Sequence, residues 1–164
     1  SGDAFDGLVK TIEAASAPSY DYASGATVSA IVAGVYGKIK SEVFDKGDVV
    51  MFMGKDMYRT YIQELIANGN IVITTALNDV AMPESVLVPG TDVRVIPVGG
   101  LDGTGKVFAS YRDNFVYGTD MAGDEEKFDF WYSQDNREFR LAIEFTAGAQ
   151  VAYPDLIVEG KAAA

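Results

Sequence analysis

Residues 127–147, KFDFWYSQDNREFRLAIEFTA, constrain this chain more than any other stretch, because they hold two alternating strands and the turn that joins them. Phe128, Phe130 and Tyr132 share one face of the first arm. Phe139, Leu141, Ile143 and Phe145 do the same in the second, while Asp129, Arg140 and Glu144 take the opposite face. A side-chain period of two with aromatic and β-branched content marks a half-buried strand, and Gln134-Asp135-Asn136 between the arms is turn chemistry. The stretch predicts an antiparallel hairpin. Its seven large apolar side chains, each worth roughly 1.5–3 kcal/mol on full burial, predict a cover supplied by the rest of the chain.

The 164 residues suit one domain with a single sizeable core. No apolar run approaches the roughly 20 residues that span a bilayer, so no membrane segment is expected. The opening SGDAFDG lacks the basic-then-apolar pattern of a signal peptide. There is no cysteine and no histidine. Disulfides, thiolate metal sites, a Ser-His-Asp triad, a histidine base and the usual zinc sites are thereby excluded, which leaves carboxylate, Lys or Tyr chemistry. A net charge of −11 argues against wrapping nucleic acid by phosphate neutralisation.

Taken in order, Phe5, Leu8, Val9 and Ile12 repeat at helical spacing, so residues 3–15 predict a short amphipathic helix with Asp3 as N-cap. Residues 16–25 are rich in turn formers and read as a loop. Thr27 then caps a longer helix over 27–44, whose face is Val28, Ile31, Val32, Val35, Tyr36, Ile39 and Val43. Gly34 and Gly37 interrupt it at roughly 1 kcal/mol each relative to Ala, which suggests close approach of another backbone. Val49 to Met53 is apolar without alternation, as in a strand covered on both faces. A second long helix follows, with Asp56 as N-cap, a stripe of Met57, Tyr58, Tyr61, Ile62, Leu65 and Ile66, and Gly69 as the left-handed stop. Strands are predicted at 71–75, 85–88, 92–98, 107–111 and 115–117, and the tail 160–164 as irregular. Helices first and strands afterwards indicate an α+β fold, with helices packed on one side of a mixed, mainly antiparallel sheet. No repeat or linker splits the chain, so residues 1–164 read as a single domain, with two lobes sharing a sheet as the alternative.

Gly100-Leu101-Asp102-Gly103-Thr104-Gly105-Lys106 fits the spacing of a phosphate-binding loop. Val107 stands where that loop needs a magnesium-binding hydroxyl, however, and VFASYR predicts a strand where a helix is required. Asp120, Asp124, Glu125 and Glu126 form an acidic turn without EF-hand spacing. The Phe128, Phe130, Tyr132 stripe lacks the interleaved Lys and Arg of a base-stacking platform and reads as core. Tyr20 and Tyr22, in a small, polar loop, are candidate interface residues, since exposed tyrosine is enriched at protein contacts. No carboxylate pair stands out as acid and base. No catalytic residue, cofactor or metal is expected.

The order of elements resembles the major capsid proteins of tailed bacteriophages. The resemblance rests on a helix like that at 27–44, VVMFMGKDMYRTYIQEL at 49–65, DVRVIPVGGL at 92–101, YRDNFVYGTDM at 111–121 and FRLAIEFTAGAQVAYPDLIV at 139–158. These are diffuse short pieces covering about the last 130 residues, not a catalytic signature.

The resemblance implies that most of the chain forms the axial domain around a capsomer centre, with the hairpin leading back toward a peripheral domain. It implies a structural subunit whose copies form hexamers and pentamers of an icosahedral shell, which encloses DNA without sequence-specific binding in a virion assembled in the bacterial cytoplasm. The family's N-terminal arm, extended loop and spine helix have no counterpart ahead of Phe5, which implies a fragment or a truncated relative. Two alternatives stand beside this reading: an encapsulin-like compartment shell, and a nucleotide-binding enzyme using the Gly100–Lys106 loop.

Overall fold

The computed structural model describes residues 7–15, 17–69, 84–119, 127–133, 137–144 and 147–163. It divides into two compact units, one comprising residues 1–14 with 115–152 and the other residues 15–114 with 153–164.

The second unit is built on a mixed sheet of six strands. In chain order these are β1 (Ser19–Tyr22), β2 (Val49–Met53), β3 (Val86–Leu87), β4 (Arg94–Pro97), β5 (Val107–Tyr111) and β10 (Val158–Ala162), arranged in space as β1-β10-β5-β2-β4-β3. The β1–β10 and β2–β4 pairs are parallel; the other three are antiparallel. Helices α2 (Val28–Lys38), α3 (Ser41–Lys46) and α4 (Lys55–Ala67) supply the core against one face. That face takes every second residue of the central strands: Val49, Met51 and Met53 of β2, Val107, Ala109 and Tyr111 of β5, and Val95 of β4. Val50, Phe108 and Ser110 on the reverse face are buried too, as the unalternating VVMFM run predicts. At Gly160 a Cβ would lie 2.7 Å from Val35 Cγ2, so α2 rests on β10 where a side chain is missing.

The other unit contains α1 (Leu8–Ala14) and two antiparallel ribbons nested in chain order, β6 (Phe115–Thr119) with β9 (Ala147–Val151) and β7 (Lys127–Ser133) with β8 (Glu138–Glu144). Ile12 and Val151 are buried, and α1 packs on β9.

The α+β class and the helices-on-mixed-sheet arrangement are as expected, and the bounds of β2 and β5 are those predicted. Thr27 caps α2, its hydroxyl accepting the Ala30 amide at 3.3 Å, and Gly69 takes φ +66° after α4. Four local expectations are corrected. The helix expected over 27–44 breaks at Ile39 and Lys40, both extended, into α2 and α3. Neither residue is a breaker, and Val43 still reaches the core from the new helix. Residues 19–22, expected as loop, form an edge strand because β10 offers a partner ladder, and that ladder also orders residues 160–162 of the expected irregular tail. α4 begins after Gly54, not Asp56. Asp3 and the strand expected at 71–75 lie outside the described residues.

Candidate functional site

The loop with phosphate-loop spacing is fully committed to structure. Asp102 Oδ1 accepts the Lys55 amide, which gives α4 the carboxylate cap that Gly54 cannot supply. Asp56 Oδ2 reaches back to the Gly103 amide at 3.1 Å, and its Oδ1 takes the Met57 amide at 2.8 Å. Gly54 must lack a side chain here, because a Cβ would sit 2.7 Å from the Leu101 carbonyl oxygen. Gly103 and Gly105 both take left-handed φ, +71° and +67°. Of the loop amides, that of Gly103 is turned to this helix start, those of Leu101, Asp102 and Thr104 to carbonyls within the turn, and that of Lys106 to the Thr104 hydroxyl, while Lys106 Nζ lies 3.2 Å from Glu159 Oε1 on a nearly buried side chain. Lys106 leads into the strand β5, so no helix follows the loop as a phosphate-binding loop requires, and the α4 start that it meets already holds the Asp102 carboxylate. The nucleotide-binding alternative is therefore not supported by its own motif.

Tyr20 and Tyr22 sit on β1, half-buried on the face that carries the helices. The Tyr20 ring fills the notch at Gly34, where a Cβ would come within 2.5 Å of the hydroxyl oxygen and closer to the ring carbons. The close approach expected at Gly34 is thus by a side chain, and Gly37 faces open space. Tyr22 donates its hydroxyl to the Gly105 carbonyl, and burial raises its pKa. Both rings hold the edge strand to its own unit, and the outer edge of β1 stays unpaired by any described strand.

Two polar clusters escaped the sequence reading. Glu64 on α4 caps α2 from a distance, with Oε1 accepting the Val28 amide at 3.0 Å and Oε2 accepting both the Ser29 amide and hydroxyl at 2.6 Å. Burial opposes its ionisation, but the Ser29 hydroxyl and the Ser29 and Val28 amides outweigh it and lower its pKa. Asn114, fully buried, donates to Ser110 Oγ and to the Tyr153 carbonyl, both at 2.9 Å, and accepts the Tyr153 amide at 2.7 Å. The Ser110 hydroxyl donates in turn to the Leu156 carbonyl at 3.1 Å. The only hint in the sequence was the position of Asn114 in the YRDNFVYGTDM segment.

On the reverse face of the sheet an open groove of about 430 Å³ is lined by Val50, Phe52 and Ile96, with Arg94 and Arg112 opposing Asp48 and Asp92. Its charges balance, and it presents no acid–base pair. Among the described residues no group of three acidic side chains is placed to hold a metal, and no helix is long and apolar enough to cross a membrane. The acidic turn at 120–126 lies outside the described residues.

The β7–β8 ribbon departs most from expectation. Its register pairs Phe130 with Leu141 and Tyr132 with Phe139, as the alternation predicts, yet these four side chains are exposed. The predicted cover is absent from the described residues, and the core reading of Phe130 and Tyr132 is corrected. Alternation sets which residues share a face, not whether another element lies over it.

No protein-family model matches the chain, and no curated protein sequence matches it. Solved structures do. A virus-like particle from Pyrococcus furiosus superposes with a TM-score of 0.57 at 10% identity, over 94% of this chain and 59% of that one. A structure of Mycobacterium phage Che8 gives 0.59 at 11% identity, over 88% of this chain and 53% of that one. The chain therefore spans between half and two thirds of the length of these two structures, and shares with them a capsid-like fold.

Proposed function

We propose that this chain is a structural subunit of a self-assembling protein shell. The observation that carries the reading is the shared fold of nearly the whole chain with a virus-like particle and a phage structure at almost equal scores. Its described chemistry supports the same reading, since the one motif with catalytic spacing is spent on capping a helix. The finer reading is a major capsid subunit of a tailed phage or prophage. Its copies would form hexamers and pentamers of an icosahedral virion shell, assembled in the bacterial cytoplasm. The −11 charge fits a wall that holds DNA by enclosure without neutralising phosphates. In this reading residues 1–164 are the axial portion with part of a peripheral one, and Tyr20 and Tyr22, on the open edge strand, approach a neighbouring subunit. An encapsulin-like compartment is the second reading, favoured by the likeness to the archaeal virus-like particle. No catalytic activity is proposed.

The test is mass by light scattering across a concentration series, with ATP and magnesium in a parallel run, followed by electron microscopy and nuclease digestion of whatever assembles. Rings or shells indifferent to ATP are expected. Nuclease-protected DNA inside them supports the phage reading and enclosed protein the compartment. A monomer at every concentration, or a mass that changes with ATP, overturns the proposal.

A further inference from the structure

Four exposed apolar side chains share one face of the β7–β8 ribbon and form an ordered surface. Phe130 is 64% exposed, Tyr132 48%, Phe139 70% and Leu141 59%. Phe139 stacks on Phe130 with ring centres 5.4 Å apart and planes within 6°, and meets Tyr132 at 5.2 Å. A lone two-stranded ribbon is marginal in water, and a contiguous exposed apolar patch of this kind marks a contact surface. Nothing else in the described chain gathers so many large apolar groups on one open face.

We propose that this face is a contact between copies of this chain, occupied by the same apolar face of a second copy. The inference rests on the shell reading and names the surface through which that assembly proceeds. Charge and area both favour a second copy. Residues 127–144 contain three basic side chains, Lys127, Arg137 and Arg140, against four acidic ones, Asp129, Asp135, Glu138 and Glu144. The ribbon thus carries −1 of the chain's −11, and two ribbons meet without the repulsion that the rest of the molecule imposes. On the reverse of the ribbon Arg140 pairs with Glu138 at 2.7 Å, so these two charges offset each other. At these exposures, and at roughly 150–250 Å² for a buried aromatic ring, the face offers about 400 Å² per copy. Two copies together supply the apolar centre of a contact of standard size, about 1,200–2,000 Å², with polar neighbours as its rim.

The test compares Leu141→Asp with Leu87→Asp, which places the same charge on an exposed leucine in the other unit. Light scattering across a concentration series should show Leu141→Asp shifting association to at least about tenfold higher concentration, since a carboxylate in an apolar contact is costly, while Leu87→Asp follows the parent chain. Because the chain has no cysteine, Leu141→Cys supplies a single thiol. Its labelling by a maleimide should slow as the protein associates, a readout that does not depend on the charged variant folding. If the parent associates while Leu141→Asp matches Leu87→Asp and the thiol stays equally reactive, the ribbon inference fails and the shell reading stands. A parent chain that is monomeric at every concentration overturns both.

Discussion

The side chain of Asn114 grips both polar groups of one residue, accepting the Tyr153 amide at 2.7 Å and donating to the Tyr153 carbonyl at 2.9 Å. The chain leaves the sheet unit after Asn114 and re-enters it at Tyr153. One amide thus ties the exit to the return, and Ser110 extends the tie to Leu156. Asn114→Ala should lower the unfolding free energy of this unit by about 2–4 kcal/mol, because it strands a buried amide, carbonyl and hydroxyl at once. Urea denaturation measures it, and a change under about 0.5 kcal/mol would mean water replaces the amide at no loss.

Glu64 makes α2 sensitive to acid. Its folded pKa is depressed, so its stabilisation is full above the ordinary carboxylate range and is lost as pH falls through the lowered value. Glu64→Gln should cost about 1 kcal/mol at neutral pH and flatten the acid limb of a melting-temperature profile. Parallel acid limbs in the two proteins would refute the assignment.

The opposite limb belongs to the buried tyrosines. Burial first, then Glu64 and Tyr58, push the Tyr61 pKa up to about 12, and burial raises that of Tyr58. Both are neutral in either state below about pH 10, where their stabilisation is full. It falls as pH rises from there through the folded values, because the unfolded chain ionises first. Tyr61→Phe should reduce the loss between pH 10 and 12 in an alkaline unfolding titration, and an unchanged profile would count against a buried, neutral phenol.

The two glycines of α2 should respond in opposite directions. Gly37→Ala meets nothing within 4 Å and should stabilise by up to about 1 kcal/mol through helix propensity. Gly34→Ala drives a methyl into the Tyr20 ring and should destabilise despite the same propensity gain. Thermal unfolding separates them, and Tyr20→Ala in the Gly34→Ala background should recover part of the loss. Matching shifts would show that the Tyr20 ring does not occupy the notch.

Lys106 is expected to matter for folding and not for nucleotides. Lys106→Met leaves the Glu159 carboxylate without its ion pair on a nearly buried side chain and should cost about 1–3 kcal/mol. The double change with Glu159→Leu should cost less than the single one. Calorimetric ATP titration of the parent should be flat, and measurable heat that vanishes in Lys106→Met would restore the phosphate-loop reading.

What the sequence determined by itself is what a short window of backbone geometry controls. An unbroken apolar run located β2, period two located both arms of the ribbon, the 3.6-residue stripe located α4, and Thr27 and Gly69 marked helix ends with their own side chain or their own φ. The tertiary structure decided whatever needs a partner distant in sequence. Glu64 caps a helix start 35 residues away, Asp102 one 47 away, and Asn114 finds Tyr153 at a separation of 39. Ser19–Tyr22 became a strand because β10 lay beside it, although its own residues read as turn. The same distinction governs the ribbon, because alternation assigns Phe130, Tyr132, Phe139 and Leu141 to one face but cannot bring up the surface that covers them. Burial belongs to the molecule that supplies the second surface.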